Sequence, residues 1–207
     1  MVLSQRFEDA LLYAAHIHGG QTRKGTEVPY MAHLMAVAGI VLEYGGSENE
    51  AIAGLLHDAA EEAGGKPRIE DIRVRFGEEV ASIVDGCTDC LDDPRPPWRT
   101  RKAAYIGRIP RLSDRVRLVA AADILHNARS NLKDLREHGD QVWSRFKGGK
   151  DGTLWYYRCV VQALKTLGTN HLLDELERAV VELERLAAKT ASETSALRAS
   201  NAVLVGH

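Results

Sequence analysis

Three places in the chain put chemically useful side chains where apolar ones are the norm. His33 stands in MAHLMAVAGI. His57-Asp58 directly follows the apolar run AIAGLL and leads into Ala59-Ala60-Glu61-Glu62, and Asp123 lies in VAAADILHN. On one helix, Glu61 sits a turn after His57 and Glu62 a turn after Asp58, so an imidazole and three carboxylates share one strip. Unpaired, such groups repel each other and are costly to desolvate. A divalent cation removes that cost. A solvated acidic helix end accounts for Glu61 and Glu62, but not for His57-Asp58 placed straight after Leu55-Leu56. Taken singly, His33 is more often a packed core histidine, and a lone buried aspartate such as Asp123 is uncommon unless paired or ligated. Taken together, His33, His57, Asp58 and Asp123 form a mixed nitrogen and oxygen donor set. That set suits manganese, iron or zinc, and suits magnesium poorly.

The elements that must position these groups read as helices almost throughout. Ser4 caps a first helix whose apolar face is Phe7, Leu11, Leu12 and Ala15, and Gly19-Gly20 ends it. After the loop QTRKGTEVP, Pro29 opens a second helix to Tyr44. Ser47 and Glu50 form a capping box for a third, expected to run unbroken through Glu62 to Gly64. Further helices are predicted from Pro67 to Phe76, from Gly77 to about Asp89, over 98–108, over 113–136 with Ser113 as cap, over 151–167 and over 170–189. A short element covers 140–146, and DDPRPPW is a breaker-rich loop. No alternating β-run and no internal repeat is found. The expectation is an all-α, compact multi-helix domain over residues 1–189 and a polar C-terminal tail over 190–207.

A chain of 207 residues is enough for one domain with a sizeable core. A net charge of -2 without a basic stripe argues against a nucleic-acid partner. No apolar stretch approaches the roughly 20 residues that span a bilayer. With a charge at Arg6 and no long apolar run, the N-terminal stretch is not expected to act as a secretion signal. Three cysteines, Cys87, Cys90 and Cys159, agree with a reducing compartment, so a cytoplasmic location is expected. Cys87-Thr88-Asp89-Cys90 lacks both the βαβ context of a redox pair and the second pair of a zinc knuckle, and reads as small residues at a helix end.

The order H…HD…D resembles the HD phosphohydrolase superfamily. The flanking stretches ALLYAAHIHGGQTRKGTEVPYMAHLMAVAGIV, AGLLHDAAEE and AADILHNARS narrow the resemblance to the hydrolase domain of the RelA/SpoT homologues, in particular the stand-alone alarmone hydrolases. It covers about residues 4–167. The resemblance implies an HD-domain fold and a metal, usually manganese (Fe2+ or Zn2+ as alternatives), bound by His33, His57, Asp58 and Asp123. It also implies hydrolysis of the 3′-pyrophosphate of guanosine tetra- or pentaphosphate. Glu61 and Glu62 match an acidic pair that orients or activates the attacking water; the family usually has Glu-Asp there. Arg23 and Lys24 match a loop that packs on the nucleobase and meets phosphate, Asn127 a substrate contact and Ser130 a contact to the sugar.

Beyond the matched motifs, Lys147, Lys150 and Arg158 are basic candidates for the distal phosphates. Trp155 and Tyr156 are candidates for the pocket, although aromatics at helical spacing are more often core. His126 is a packed histidine beside the site or a support for a ligand. Two rival activities share the same motifs: an HD phosphohydrolase acting on NADPH, an adenosine alarmone or a nucleoside monophosphate, and a non-catalytic nucleotide-sensing scaffold. The last helix, LLDELERAVVELERLAAK, packs on its own domain or drives an oligomer.

Overall fold

The structure, a computed structural model, describes residues 2–62, 64–166 and 168–204, with side chains described for 2–61, 64–166 and 168–190. The helices are α1 (Gln5–Ile17), α2 (Tyr30–Glu43), α3 (Glu48–Leu56), α4 (Ala59–Glu62), α5 (Gly65–Phe76), α6 (Glu78–Cys87), α7 (Trp98–Arg108), α8 (Asp114–His138), α9 (Gly149–Lys165) and α10 (His171–Leu204). Short 3-10 turns at Ile109–Arg111 and Gly139–Arg145 flank α8. Among the described residues there is no strand, only an isolated bridge between Thr22 and Pro29, so the expected all-α class holds. No helix among them is long and apolar enough to cross a membrane.

The caps fall where side-chain chemistry places them. Ser4 accepts from the Arg6 amide at the start of α1. Ser47 and Glu50 exchange both bonds of a capping box on α3, and Ser113 accepts from Val116 on α8. The long helix expected after Ser47 is instead interrupted. α3 stops at Leu56, a turn carries His57 and Asp58, and α4 resumes at Ala59. The cause is local: His57 Nδ1 bonds the carbonyl of Gly54 at 2.8 Å, so a side chain takes up a backbone acceptor of the last helical turn. The His-Asp pair therefore sits on a bend rather than along a regular helix face.

α8 is the central post. α2, α3, α6, α9 and α10 all pack on it. Its small residues Ala121, Ala122 and Ala128 are fully or nearly fully buried. α2 and α3 approach closely because Gly54 has no side chain: a Cβ there would lie 3.2 Å from the Ala38 Cα. That approach brings His33 on α2 towards His57 at the end of α3.

α10 buries Leu172, Leu176, Val180, Leu183 and Ala187, a helical stripe, against α8 and α9. Ion pairs Arg129–Glu175, Arg136–Glu182 and Lys165–Glu177 flank the stripe. The helix does not end near Lys189 as expected but continues to Leu204, since residues 190–204 contain neither proline nor glycine.

Candidate metal centre

α2, the bend after α3 and the middle of α8 deliver four side chains to one point. His33 Nε2 lies 3.2 Å from Asp123 Oδ1 and 3.7 Å from Asp58 Oδ2. His57 Nε2 lies 3.1 Å from Asp58 Oδ2 and 3.5 Å from Asp123 Oδ1. Ligand atoms of His33, His57 and Asp58 all fall within 4.8 Å of one another. Both imidazoles are buried, whereas the two carboxylates keep about a quarter of their side-chain surface (24% and 23%) open to solvent. The set is thus closed on the helix side and open on the other, as a metal site that must admit a substrate requires.

The imidazole nitrogens test whether a cation fits. His33 Nε2 and His57 Nε2 are buried and, among the described residues, have no hydrogen-bond partner. Because a carbonyl only accepts, the Gly54 oxygen fixes the hydrogen of His57 on Nδ1 and leaves the Nε2 lone pair directed at the carboxylates. His33 Nδ1 faces His126 Nδ1 at 2.8 Å. Burial first, then His33 and Arg23, push the His126 pKa down to about 4, so His126 is neutral and can accept there. His33 then also offers Nε2. Two such nitrogens aimed at two ionised oxygens are a donor set that fits a divalent cation.

Without a cation the carboxylates charge the imidazole instead. Burial alone lowers the His57 pKa, but Asp58 and Asp123 outweigh it and hold His57 well above the ordinary histidine range. Burial likewise raises Asp58, and His57 and His33 outweigh that and hold it well below the usual carboxylate value.

The carboxylates are themselves held. Tyr30 donates to Asp58 Oδ2 at 2.5 Å, and burial and the Asp58 charge keep its hydroxyl protonated. Asn127 Nδ2 donates to Asp123 Oδ1 at 2.6 Å, while Asn127 Oδ1 accepts from Arg23 at 2.5 Å. Arg23 also lies over the Tyr30 ring, 5.8 Å from its centroid. The loop carrying Arg23 is a tight ribbon, with the Arg23 amide on the Val28 carbonyl at 2.8 Å. Gly25 holds φ +69°, and a Cβ there would lie 2.6 Å from Arg145 Cδ. Arg145 pairs with Asp134 at 2.7 Å, so the loop is pinned to α8 at two places.

Asp123, Asn127 and Ser130 line one face of α8, with Ser130 half-buried. Lys24 and Lys147 are exposed, Lys24 on the loop and Lys147 beside the Gly148-Gly149 turn. Arg158 pairs with Glu184 of α10 at 2.6 Å. Lys150 is also committed elsewhere, to Asp140 at 3.3 Å and the Ala187 carbonyl at 2.6 Å. Trp155 and Tyr156 pack around Trp98, and Tyr156 is buried.

Glu61 accepts from the Asp89 amide at 2.7 Å. Burial, then the charges of Asp89 and Asp58, push its pKa up to about 7, in the range a general base needs. The side chain of Glu62 lies outside the described residues. Two supporting residues, Tyr30 and Asp89, were not singled out from sequence. Tyr30 stands in the matched PYMAH stretch, and Asp89 stands between two cysteines that drew attention for other reasons.

An all-helical domain with a His-Asp pair on a helix bend, facing a histidine of α2 and an aspartate of α8, defines the HD class, and a family model described as HD domain matches residues 10–154. The chain belongs to the HD-domain family. The guanosine-3′,5′-bis(diphosphate) 3′-pyrophosphohydrolase MESH1 of Xenopus tropicalis is 33% identical over 170 residues, covering 80% of this chain and 87% of that protein. The human MESH1 is 31% identical over 171 residues, 81% of this chain and 88% of its own length. A solved structure described as a metazoan ortholog of SpoT that hydrolyzes ppGpp superimposes with a TM-score of 0.70 at 29% identity. That match covers 91% of this chain and 97% of the other. The structure of lmo0812 from Listeria monocytogenes has a TM-score of 0.64 at 32% identity, covering 72% of this chain and 96% of its own.

Proposed function

We propose that the protein is a metal-dependent hydrolase that removes pyrophosphate from the ribose 3′ position of guanosine 3′,5′-bis(diphosphate). The observation that carries this is the pair of buried Nε2 atoms of His33 and His57, unpartnered among the described residues, facing the oxygens of Asp58 and Asp123. The MESH1 relatives, which this chain covers over most of their length, support the substrate class.

His33, His57, Asp58 and Asp123 would hold the metal, and the nitrogen and oxygen donors favour Mn2+ over Mg2+, with Fe2+ or Zn2+ as alternatives. A divalent ion bound there supplies Lewis acidity towards a phosphate oxygen and acidifies a water. In the reaction, the water oxygen bonds to the phosphorus attached to O3′, the P–O3′ bond breaks, and O3′ takes a proton. The products are guanosine diphosphate and pyrophosphate. Glu61 orients the water and accepts its proton. Glu62, with Glu61, completes the acidic pair. Arg23 presents a planar guanidinium to the purine, and its bond to Asn127 ties that contact to Asp123. Lys24, Ser130 and Lys147 are assigned to phosphate and sugar. Arg158, committed to Glu184, would have to leave that pair to reach a phosphate.

A substrate panel tests the assignment. With Mn2+ present, the tetraphosphate should release pyrophosphate, and NADPH, adenosine alarmones and nucleoside monophosphates should turn over far more slowly. Faster release of phosphate from NADPH would assign the site to a dinucleotide. Tight nucleotide binding with no turnover would assign it to sensing.

A further inference from the structure

Among the described carboxylates beside the site, Asp89 is the most completely enclosed, with 2% of its side-chain surface exposed. Its carboxylate takes the Arg101 guanidinium and, at 2.9 Å, the Lys102 ammonium, two adjacent cations of α7. The preceding residue is gripped as well. Arg108 donates to the Thr88 carbonyl at 2.6 Å, and the Thr88 hydroxyl bonds the Val84 carbonyl at 2.9 Å. Three cations of one helix thus fasten a two-residue segment. A buried carboxylate facing two cations is costly to assemble when a well-packed apolar residue would stabilise the fold as well.

What the anchored segment does is hold Glu61. The Asp89 amide donates to Glu61 Oε1, and Arg95 of the following loop donates to the Glu61 carbonyl. Oε1 is thereby tied to the anchored segment, which sets the direction in which the carboxylate faces. α4, which carries Glu61, is a single turn after a bend and is too short to fix the side chain alone.

We propose that Asp89 is a positioning residue for the hydrolysis: bound by Arg101 and Lys102, it fixes the backbone that orients the Glu61 carboxylate. The inference rests on the assignment of Glu61 to the attacking water. It predicts a coupled effect rather than a loss of fold. Outer partners of a site typically act by about 10–100-fold, so Asp89→Asn should lower kcat for pyrophosphate release by about tenfold or more. KM and Mn2+ affinity should stay within about twofold of wild type. In a Glu61→Gln background the same change should cost nothing further, because the two residues act as one unit.

Lys102→Met, at a more exposed partner, provides the same cycle should Asp89→Asn fail to fold. Additive losses in the cycle would overturn the proposal while leaving the role of Glu61 intact. A raised KM with unchanged kcat in Lys102→Met would overturn it by making Lys102 a substrate contact. Full activity in Glu61→Gln itself would remove the assignment of Glu61 and this inference with it.

Discussion

Asn127 joins Asp123 to Arg23: its amide nitrogen lies 2.6 Å from Asp123 Oδ1 and its amide oxygen 2.5 Å from the Arg23 guanidinium. One short side chain therefore couples a carboxylate of the metal centre to the loop assigned to the nucleobase. Asn127→Ala removes both bonds at once. Metal affinity should fall by about 10–100-fold, the usual cost of losing an outer partner of a ligand, and KM should rise. Calorimetric Mn2+ titration and steady-state kinetics would measure the two effects separately. A variant changed in only one of them would show that the coupling is not functional.

Tyr30 makes the corresponding contact to Asp58. Tyr30→Phe keeps the ring that stacks on His18 and meets His33 edge-on, and deletes only the donor. Mn2+ should bind about tenfold more weakly with little change in Tm. A large fall in Tm would assign the hydroxyl to stability instead.

The pH response of the metal-free protein has a defined sign. The folded state binds protons more tightly than the unfolded chain at His57, and also at Glu61, whose value rises to about 7. Their preference for the folded state is present at low pH. It is lost for Glu61 as pH rises to about 7, and for His57 from about 6.5 upward through its raised folded value. Tm of the metal-free protein should fall as pH rises through neutrality. Bound metal requires neutral imidazole, so the stabilisation given by Mn2+ should instead grow with pH, by up to about tenfold in affinity per pH unit while His57 is still protonated. Differential scanning fluorimetry with chelator and with Mn2+, between pH 6 and 8.5, would show the two slopes. Parallel slopes would contradict the assignment.

Gly25 is expected to tolerate no side chain without moving the loop. Gly25→Ala meets both the positive φ and the aliphatic part of Arg145. KM should rise severalfold with metal affinity unchanged, and stability should drop by about 1 kcal/mol. Wild-type KM in this variant would separate the loop from substrate binding.

The C-terminal boundary gives a further expectation. Thr190 bonds Asp140 at 2.7 Å and Ala187 is fully buried, so the domain is proposed to reach Thr190. A chain ending at Thr190 should keep wild-type Tm and turnover. A change in the number of chains per particle by light scattering would instead assign the remaining residues to assembly.

Much of the site was legible because it breaks the local hydrophobic pattern. His33 and Asp123 are polar among apolar neighbours, and their positions in PYMAH and ADILHN tied them to His57 and Asp58. Helix starts were legible where Ser4, Ser47 and Ser113 supply an oxygen. The bend at His57 was not, because it depends on a side-chain bond to Gly54 that an unbroken helical spacing conceals. Asp89 was hidden for another reason: its role comes from Arg101 and Lys102, placed against it by tertiary packing. Arg158 shows the converse. Its charge suited a phosphate, but a partner 26 residues on, Glu184, is what it meets in the fold.

The central claim is that His33, His57, Asp58 and Asp123 hold one metal that the hydrolysis needs. The direct measurement is pyrophosphate release from guanosine 3′,5′-bis(diphosphate) by protein stripped with a chelator and then restored with Mn2+, beside His57→Ala treated in the same way. Stripping should abolish release, stoichiometric Mn2+ should restore it, and His57→Ala should show no recovery. Release that survives stripping, or equal rates in the restored wild type and His57→Ala, would contradict it.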